Sequence, residues 1–196
     1  MLLVDWMDGA SLLLGSVLAN TLASLSGGGA GLLQFPLLLF LGLPFSVALA
    51  THKVASVALG LGAIVSHLKN KNTHVKMCLW LIIFGSVGVV LGAHLVLLIP
   101  DIYAQKMLGS IILLLGVYSR LKKELGHREI ATNRNLLGWV FGTVLIILIG
   151  VINGSLTAGS GLLVTLLLVR WFGYSYKQAV AMTMISVGLV WNALGG

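Results

Sequence analysis

Long apolar runs separated by short polar breaks set the pattern of this chain. Residues 10–26, 31–43, 46–67, 77–99, 104–119, 136–152, 160–172 and 175–196 are apolar, and the longest polar stretch runs from Arg120 to Asn135. Four runs (46–67, 77–99, 104–119 and 175–196) have about the length of an ordinary membrane-spanning helix. The other four form two pairs, each joined across a polar or glycine-rich break: Ser24 to Gly31 in the first, Asn153 to Gly161 in the second. About 36 residues of continuous helix through the first pair would exceed ~50 Å, against a hydrocarbon core of about 30 Å. Each pair is therefore expected to turn back on itself rather than cross once.

The break occurs twice. Gly159-Ser160-Gly161-Leu162-Leu163 repeats Gly29-Ala30-Gly31-Leu32-Leu33, and with one inserted residue Tyr174 to Ala181 falls on Leu43 to Ala50. The expected fold is an all-α polytopic membrane protein of two homologous repeats with glycine-broken, discontinuous helices. Residues 1–120 form the first repeat, 121–135 a basic cytoplasmic loop, and 136–196 a second repeat. That second copy stops where the first has reached about residue 65, so it is expected to be truncated.

Composition agrees with a membrane location. Charged residues make up 9% and hydrophobic residues 58% of the chain, with a mean hydropathy of +1.05, whereas soluble domains carry about 25% charged residues. Met1 to Asp8 has no basic region and no small-residue cleavage site, so it does not read as a removed signal peptide. The net charge of +7 sits in short loops, which reports orientation rather than nucleic-acid binding. Lys69, Lys71 and Lys76 lie in one basic loop and Arg120, Lys122, Lys123, Arg128 and Arg134 in the other, two crossings apart, and both are expected to be cytoplasmic. With hairpins, Arg170 and Lys177 also fall inside, the acidic N-terminus and the Pro44 turn fall outside, and only Lys106 breaks the rule. An odd number of crossings then separates the copies, which makes the repeats inverted. Inverted repeats with broken helices place substrate near the bilayer midplane.

The chemistry of the apolar runs is narrow. Asp5, Asp8, Asp101, Glu124 and Glu129 are all terminal or in loops, which removes buried acid/base pairs and carboxylate cages for cations. The lone Cys78 excludes an internal disulfide and reads as a small buried filler. No enzyme, cofactor or metal site is expected. The ionisable groups within apolar segments are His52, Lys53 and, near a span end, His94, and an intramembrane cation points to function by default. Lys53 either attracts an anion, or snorkels to the interface or caps carbonyls of the neighbouring hairpin, and His52 either binds substrate or accepts a proton, or packs as a satisfied histidine. The glycine clusters offer orphan N–H groups at helix starts, which favour an anion, or simply permit tight turns. Candidate substrate-binding residues are Gly28, Gly29, Gly31, Gln34, Thr51, His52, Lys53 and Ser56 in the first copy. In the second they are Asn153, Ser155, Thr157, Ser160, Gly161 and Thr183. Asn20, Ser24, Ser26, Thr165 and Ser186 are further polar residues near the breaks.

Gly27-Gly-Gly-Ala-Gly31, the following run with Pro36, Leu41-Gly-Leu-Pro44, Ala48-Leu-Ala-Thr-His-Lys53 and the basic loop from His67 to Lys71 together resemble the TauE/SafE sulfite exporter family, also called the 4-toluene sulfonate uptake permease family. The resemblance covers essentially the whole chain. It implies a bacterial inner-membrane transporter with two related halves, moving a small anion such as sulfite or a sulfonate. The expected partners are that anion and the lipid bilayer, with a homo-oligomer left open and no nucleic acid. The alternative is a truncated, non-transporting membrane module or assembly partner.

Overall fold

In hydrocarbon every backbone N–H and C=O must be satisfied within the protein, so apolar runs of this length have to become helices. The computed structural model describes residues 6–26, 30–68, 74–121 and 129–196; these are almost entirely helical, with no strand among them. The helices are α1 (Trp6–Ser26), α2 (Ala30–Phe40), α3 (Phe45–Leu68), α4 (Val75–Val96), α5 (Asp101–Leu121) and α6 (Leu136–Ser155). Next comes α7 (Ser160–Leu166), which runs on through π-type turns over Leu167–Trp171. The last, α8 (Tyr176–Thr183), continues as π-type turns over Met184–Trp191 into a final turn, Asn192–Gly195. Four stretches are long and apolar enough to cross a membrane: Phe45–Gly62, Val75–Val96, Leu136–Ser155 and Tyr176–Gly195.

That set differs from the sequence expectation at two places. Helix α6 was expected as half of a broken pair, yet it is a full 20 residues long, because Asn153 and Ser155 stay helical instead of starting the break. The Ser155 hydroxyl donates to the Val151 carbonyl, which keeps it compatible with the helix interior. Helix α5 has the length, 21 residues, but Asp101, Gln105, Lys106 and Arg120 lower its apolar character.

Contacts across each pair show that it turns back. Gln34 of α2 meets Ser16 and Asn20 of α1, and Leu37 lies against Gly15, so positions rise on one helix as they fall on the other. Asn153 of α6 likewise meets Ser160, while the Trp171 indole N–H donates to the Gly138 carbonyl at 3.0 Å, fifteen residues back along α6. The reversal between α6 and α7 uses two residues in the left-handed region, Thr157 (φ 59°) and Gly159 (φ 76°). Glycine is at home there; Thr157 is held there by its hydroxyl, which donates to the Asn153 carbonyl at 2.9 Å.

The segment before α6 is stitched to the turn after α7. The Ile130 N–H donates to the Gly173 carbonyl at 2.8 Å, and Thr132, Asn133 and Arg134 donate to the Trp171 and Phe172 carbonyls. Gly173 has φ 72° and a Cβ there would collide with the Ile130 carbonyl, so only glycine closes this turn. Around it stand Trp80, Trp139 and Phe172, with ring centroids 5.1 to 5.5 Å apart, an aromatic cluster of the kind found at membrane interfaces.

Glu129 ties this end together, accepting from Arg134 at 2.8 Å and from Gln178 at 2.9 Å. The Arg134 hydrogen bond, and after it the one from Gln178, holds the Glu129 carboxyl below its usual range. Its contribution to stability is thus present above the unfolded carboxylate pKa and is lost as pH falls through the lowered folded value. The detergent melting temperature of the wild type should exceed that of Glu129→Gln slightly at neutral pH, since exposed pairs are worth little, and the gap should close in acid. A gap independent of pH would contradict this account.

Two close helix crossings form the centre. Helices α4 and α6 run parallel, with Gly88 and Gly92 against the Ile147 and Val151 backbone and Gly150 and Gly154 against Gly85 and Val89. A Cβ at Gly88, Gly92, Gly150 or Gly154 would strike backbone, so these small residues let the two helices approach closely. Helices α3 and α8 run antiparallel: Gly60 meets Gly188 and Leu189, while Lys53 reaches Gly195. The indole of Trp191, fully buried, lies against Gly85 and donates to the Leu81 carbonyl at 3.2 Å.

Candidate functional site

Gly31, where the first break ends, and Thr157, Ser160 and Gly161 at the second meet at one small cavity beside the α3–α8 crossing. Its walls are Gly31, His52, Ser56 and Leu59 from the first copy, and Thr157, Ser160, Gly161, Thr183, Met184, Val187, Gly188 and Asn192 from the second. Under the sequence repeat Gly31 corresponds to Gly161 and His52 to Thr183, so matched positions face the same space. The cavity measures about 30 Å³, room for roughly one water.

Each polar wall residue is held by a partner. Helix α3 presents His52 with Nδ1 2.8 Å from Gln34 Oε1 of α2, and Nε2 3.2 Å from Ser56 Oγ one turn on. Phe35 lies parallel to the imidazole, with centroids 6.2 Å apart. In the second copy Thr165 donates to Thr183 at 3.0 Å, a hydroxyl pair at the place where the first copy has Phe35 and His52. Asn153 joins three helices: its side-chain amide nitrogen donates to Ser160 at 2.9 Å and to Asn192 at 3.1 Å, and its side-chain Oδ1 is buried without a donor. Gly31 cannot be larger without disturbance, since a Cβ there would lie 3.0 Å from Ala158 and 3.1 Å from His52 Nε2.

Of the candidates read from sequence, Gly31, His52, Ser56, Thr157, Ser160, Gly161 and Thr183 line this cavity, with Gln34 and Asn153 directly behind it. Ser155 is buried but turned to its own helix. Thr51 is exposed on the outer face of α3, away from the cavity. Gly28 and Gly29 lie outside the described residues. His94 is exposed and bonded to the Val90 carbonyl of its own helix.

Lys53 is fully buried but faces elsewhere. One residue along a helix is a rotation of about 100°, so neighbours cannot share a wall. Its ammonium donates to the Gly154 carbonyl at 3.1 Å and to the Gly195 carbonyl, at the ends of α6 and α8. It borders a separate cavity of about 400 Å³, shared with Phe45, Ser46, Asp101 and Gly154. No charged side chain lines the central cavity among the described residues.

Leu59, Met184, Val187, Gly188 and Asn192 are wall residues that sequence reasoning missed. Asn192 had a signal, as an amide within a long apolar run; the others look like any packing residue. Among the described residues no group of three or more His, Cys, Asp or Glu could hold a metal.

The family model described as "Sulfite exporter TauE/SafE" matches residues 12–196. The chain is 28% identical over 163 residues to a "Probable membrane transporter protein" of Haemophilus influenzae, covering 83% of this chain and 63% of that protein. It is 26% identical over 174 residues to "Probable membrane transporter protein ORF9" of Sinorhizobium sp, covering 89% and 66%. It is 27% identical over 166 residues to "Probable membrane transporter protein YfcA" of Escherichia coli K12, covering 85% and 61%. The chain thus spans a little under two thirds of the length of these curated relatives. No solved structure matches it.

Proposed function

Since the chain belongs to the sulfite exporter TauE/SafE family and is a multi-pass membrane protein, we propose that its central cavity is the binding site of a secondary transporter for a small anion, sulfite or a sulfonate being the first candidates. The observation that carries this reading is the meeting of Gly31 with the second break, Thr157 to Gly161, at one polar cavity walled by matched residues of the two copies. Polar groups inside an apolar bundle are costly unless they serve a pathway. The printed names of the relatives favour transport over a non-transporting module.

The site recognises its ion with neutral donors. Ser56 and Thr183 hydroxyls, the Asn192 amide and Gly31 in the first turn of α2 border the space, and the start of that helix adds its positive dipole end. Lys53 adds a more distant positive charge from the neighbouring cavity. The π-type turns Met184–Trp191 supply the wall residues Met184, Val187 and Gly188, and such turns recur where helices must change register.

Antiparallel packing of the matched helices α3 and α8, together with the hairpins, supports inverted repeats. Alternating access then consists of one copy rocking against the other. The reading predicts a topology: single cysteines in a Cys78→Ala background should react with an impermeant reagent from outside at position 44 and from inside at position 177. Labelling from outside at 177 would overturn the inverted arrangement. Function is tested by uptake of sulfite and small sulfonates into proteoliposomes, with and without a pH gradient. Transport of none of them by the full-length relatives or by this chain would defeat the anion reading.

A further inference from the structure

The hydrogen bonds behind His52 fix which of its nitrogens faces the cavity. Gln34 Oε1 lies 2.8 Å from Nδ1 and 3.4 Å from the Asn20 amide nitrogen, while Gln34 Nε2 donates to Ser16 Oγ at 3.0 Å. Turning the Gln34 amide over would set donor against donor at Asn20, so the carbonyl oxygen is the atom that meets the ring. A carbonyl only accepts, hence Nδ1 carries the hydrogen, and in the neutral ring Nε2 keeps its lone pair. That lone pair is at the cavity wall, beside Gly31 and Ser56, where it accepts from the Ser56 hydroxyl.

We infer that Gln34 is a positioning residue that makes the central site select oxoanions carrying a proton of their own over fully ionised ones of similar size. This rests on the central cavity being the anion site. A ligand X–O–H donates its proton to Nε2, and the displaced Ser56 hydroxyl rotates to donate to the ligand's bare oxygen. An anion whose oxygens are all bare places one of them against a lone pair and meets repulsion there. The other partners of the space, Thr183, Ser160 and Asn192, serve either ion equally.

No other group near the ring overrides this selection. Among the described residues, Gln34 and Phe35 of α2 meet the ring, Gly31 shares its cavity, and so do the wall residues of the second copy from Thr157 to Asn192; none of these titrates. Those of α1 behind Gln34 are Ser16 and Asn20, which do not titrate either. Lys53, on the same helix, is the nearest charge, and its ammonium is bound to the Gly154 and Gly195 carbonyls in the other cavity.

The test is ligand-induced thermal stabilisation of the purified full chain with two probes: sulfite, titrated from the acid to the alkaline side of its hydrogen sulfite equilibrium, and methanesulfonate, which has no proton to lose. Sulfite affinity should fall as pH rises through that equilibrium, with methanesulfonate about tenfold weaker than hydrogen sulfite, a difference of ~1.4 kcal/mol. In Gln34→Glu a carboxylate on Nδ1 favours the imidazolium, which presents N–H instead of a lone pair, so the preference should disappear and the pH profile flatten. Equal affinity of the wild type for both probes at every pH overturns the inference and leaves the anion site standing. An unchanged preference in Gln34→Glu overturns the role of Gln34, and binding of neither probe to the wild type defeats the anion reading and this inference together. Should Gln34→Glu not fold, the wild-type comparison of the two probes still decides.

Discussion

Gly60→Val should leave little folded protein in detergent and abolish transport in what remains. At Gly60 helix α3 crosses α8 backbone to backbone: a Cβ there would lie 2.6 Å from the Leu189 nitrogen and 2.8 Å from the Gly188 carbonyl carbon. Neither obstacle is the end of a flexible side chain, so the helices themselves must part. Overpacking of a close-packed site costs about 1–3 kcal/mol even when neighbours can adjust, and here they cannot, against a total stability of roughly 5–15 kcal/mol. The functional loss has its own cause. Leu59, Val187 and Gly188 wall the central cavity at this crossing, so parting the helices also moves Ser56 and His52 away from Thr183 and Ser160. Gly62→Val is the control, because a Cβ at Gly62 meets nothing within 4 Å. Equal melting temperatures for the two variants would show that the crossing is not as close as described.

The second large effect separates neighbours on one helix. His52→Ala should cut transport by about a hundredfold, near 2.7 kcal/mol, with a modest change in melting temperature. The side chain removed borders the central cavity, and its main partner, Gln34 Oε1, keeps the Asn20 amide. Lys53→Ala should do the reverse. It strips the Gly154 and Gly195 carbonyls of their buried donor, which costs about 1–3 kcal/mol for each group left unsatisfied, and lowers the melting temperature before it touches substrate affinity. Lys53→Arg should restore stability only in part, because the planar guanidinium does not take the place of a compact ammonium between two carbonyls. Measured together, the variants give opposite orderings for transport and melting. A Lys53→Ala protein with normal stability and no anion binding would return the ammonium to the site.

The hairpins were legible because they follow from two coarse quantities, helix length against bilayer thickness and the sign of charge in loops. Neither depends on side-chain detail. That Gly31 and Gly161 face one space was legible from the repeat, since they are matched positions at its two breaks. The orientation of individual side chains was less so. Thr51, His52 and Lys53 are consecutive, and the sequence does not say which phase of the helix faces inward; the structure turns His52 to the cavity, Lys53 to a second cavity and Thr51 outward. The partners of Lys53 are two backbone carbonyls, which leave no mark in a sequence. The π-type turns of α8 were invisible for a similar reason: Met184 to Trp191 is an apolar run that an ordinary helix would accommodate equally well.

Helix α5 buries Ala104, Leu108 and Leu115 but leaves Ile102, Met107, Leu113, Leu114 and Val117 uncovered. Its neighbours in sequence explain it better than its contacts do. Helices α4 and α6 lie side by side and point the same way, so a chain that finishes α4 must travel the full depth again before α6 can begin. Helix α5 is that return stroke. What constrains it is therefore its length rather than its surface: outward residues can vary freely among apolar types, whereas removing a single helical turn would leave it about 5.4 Å short of that depth.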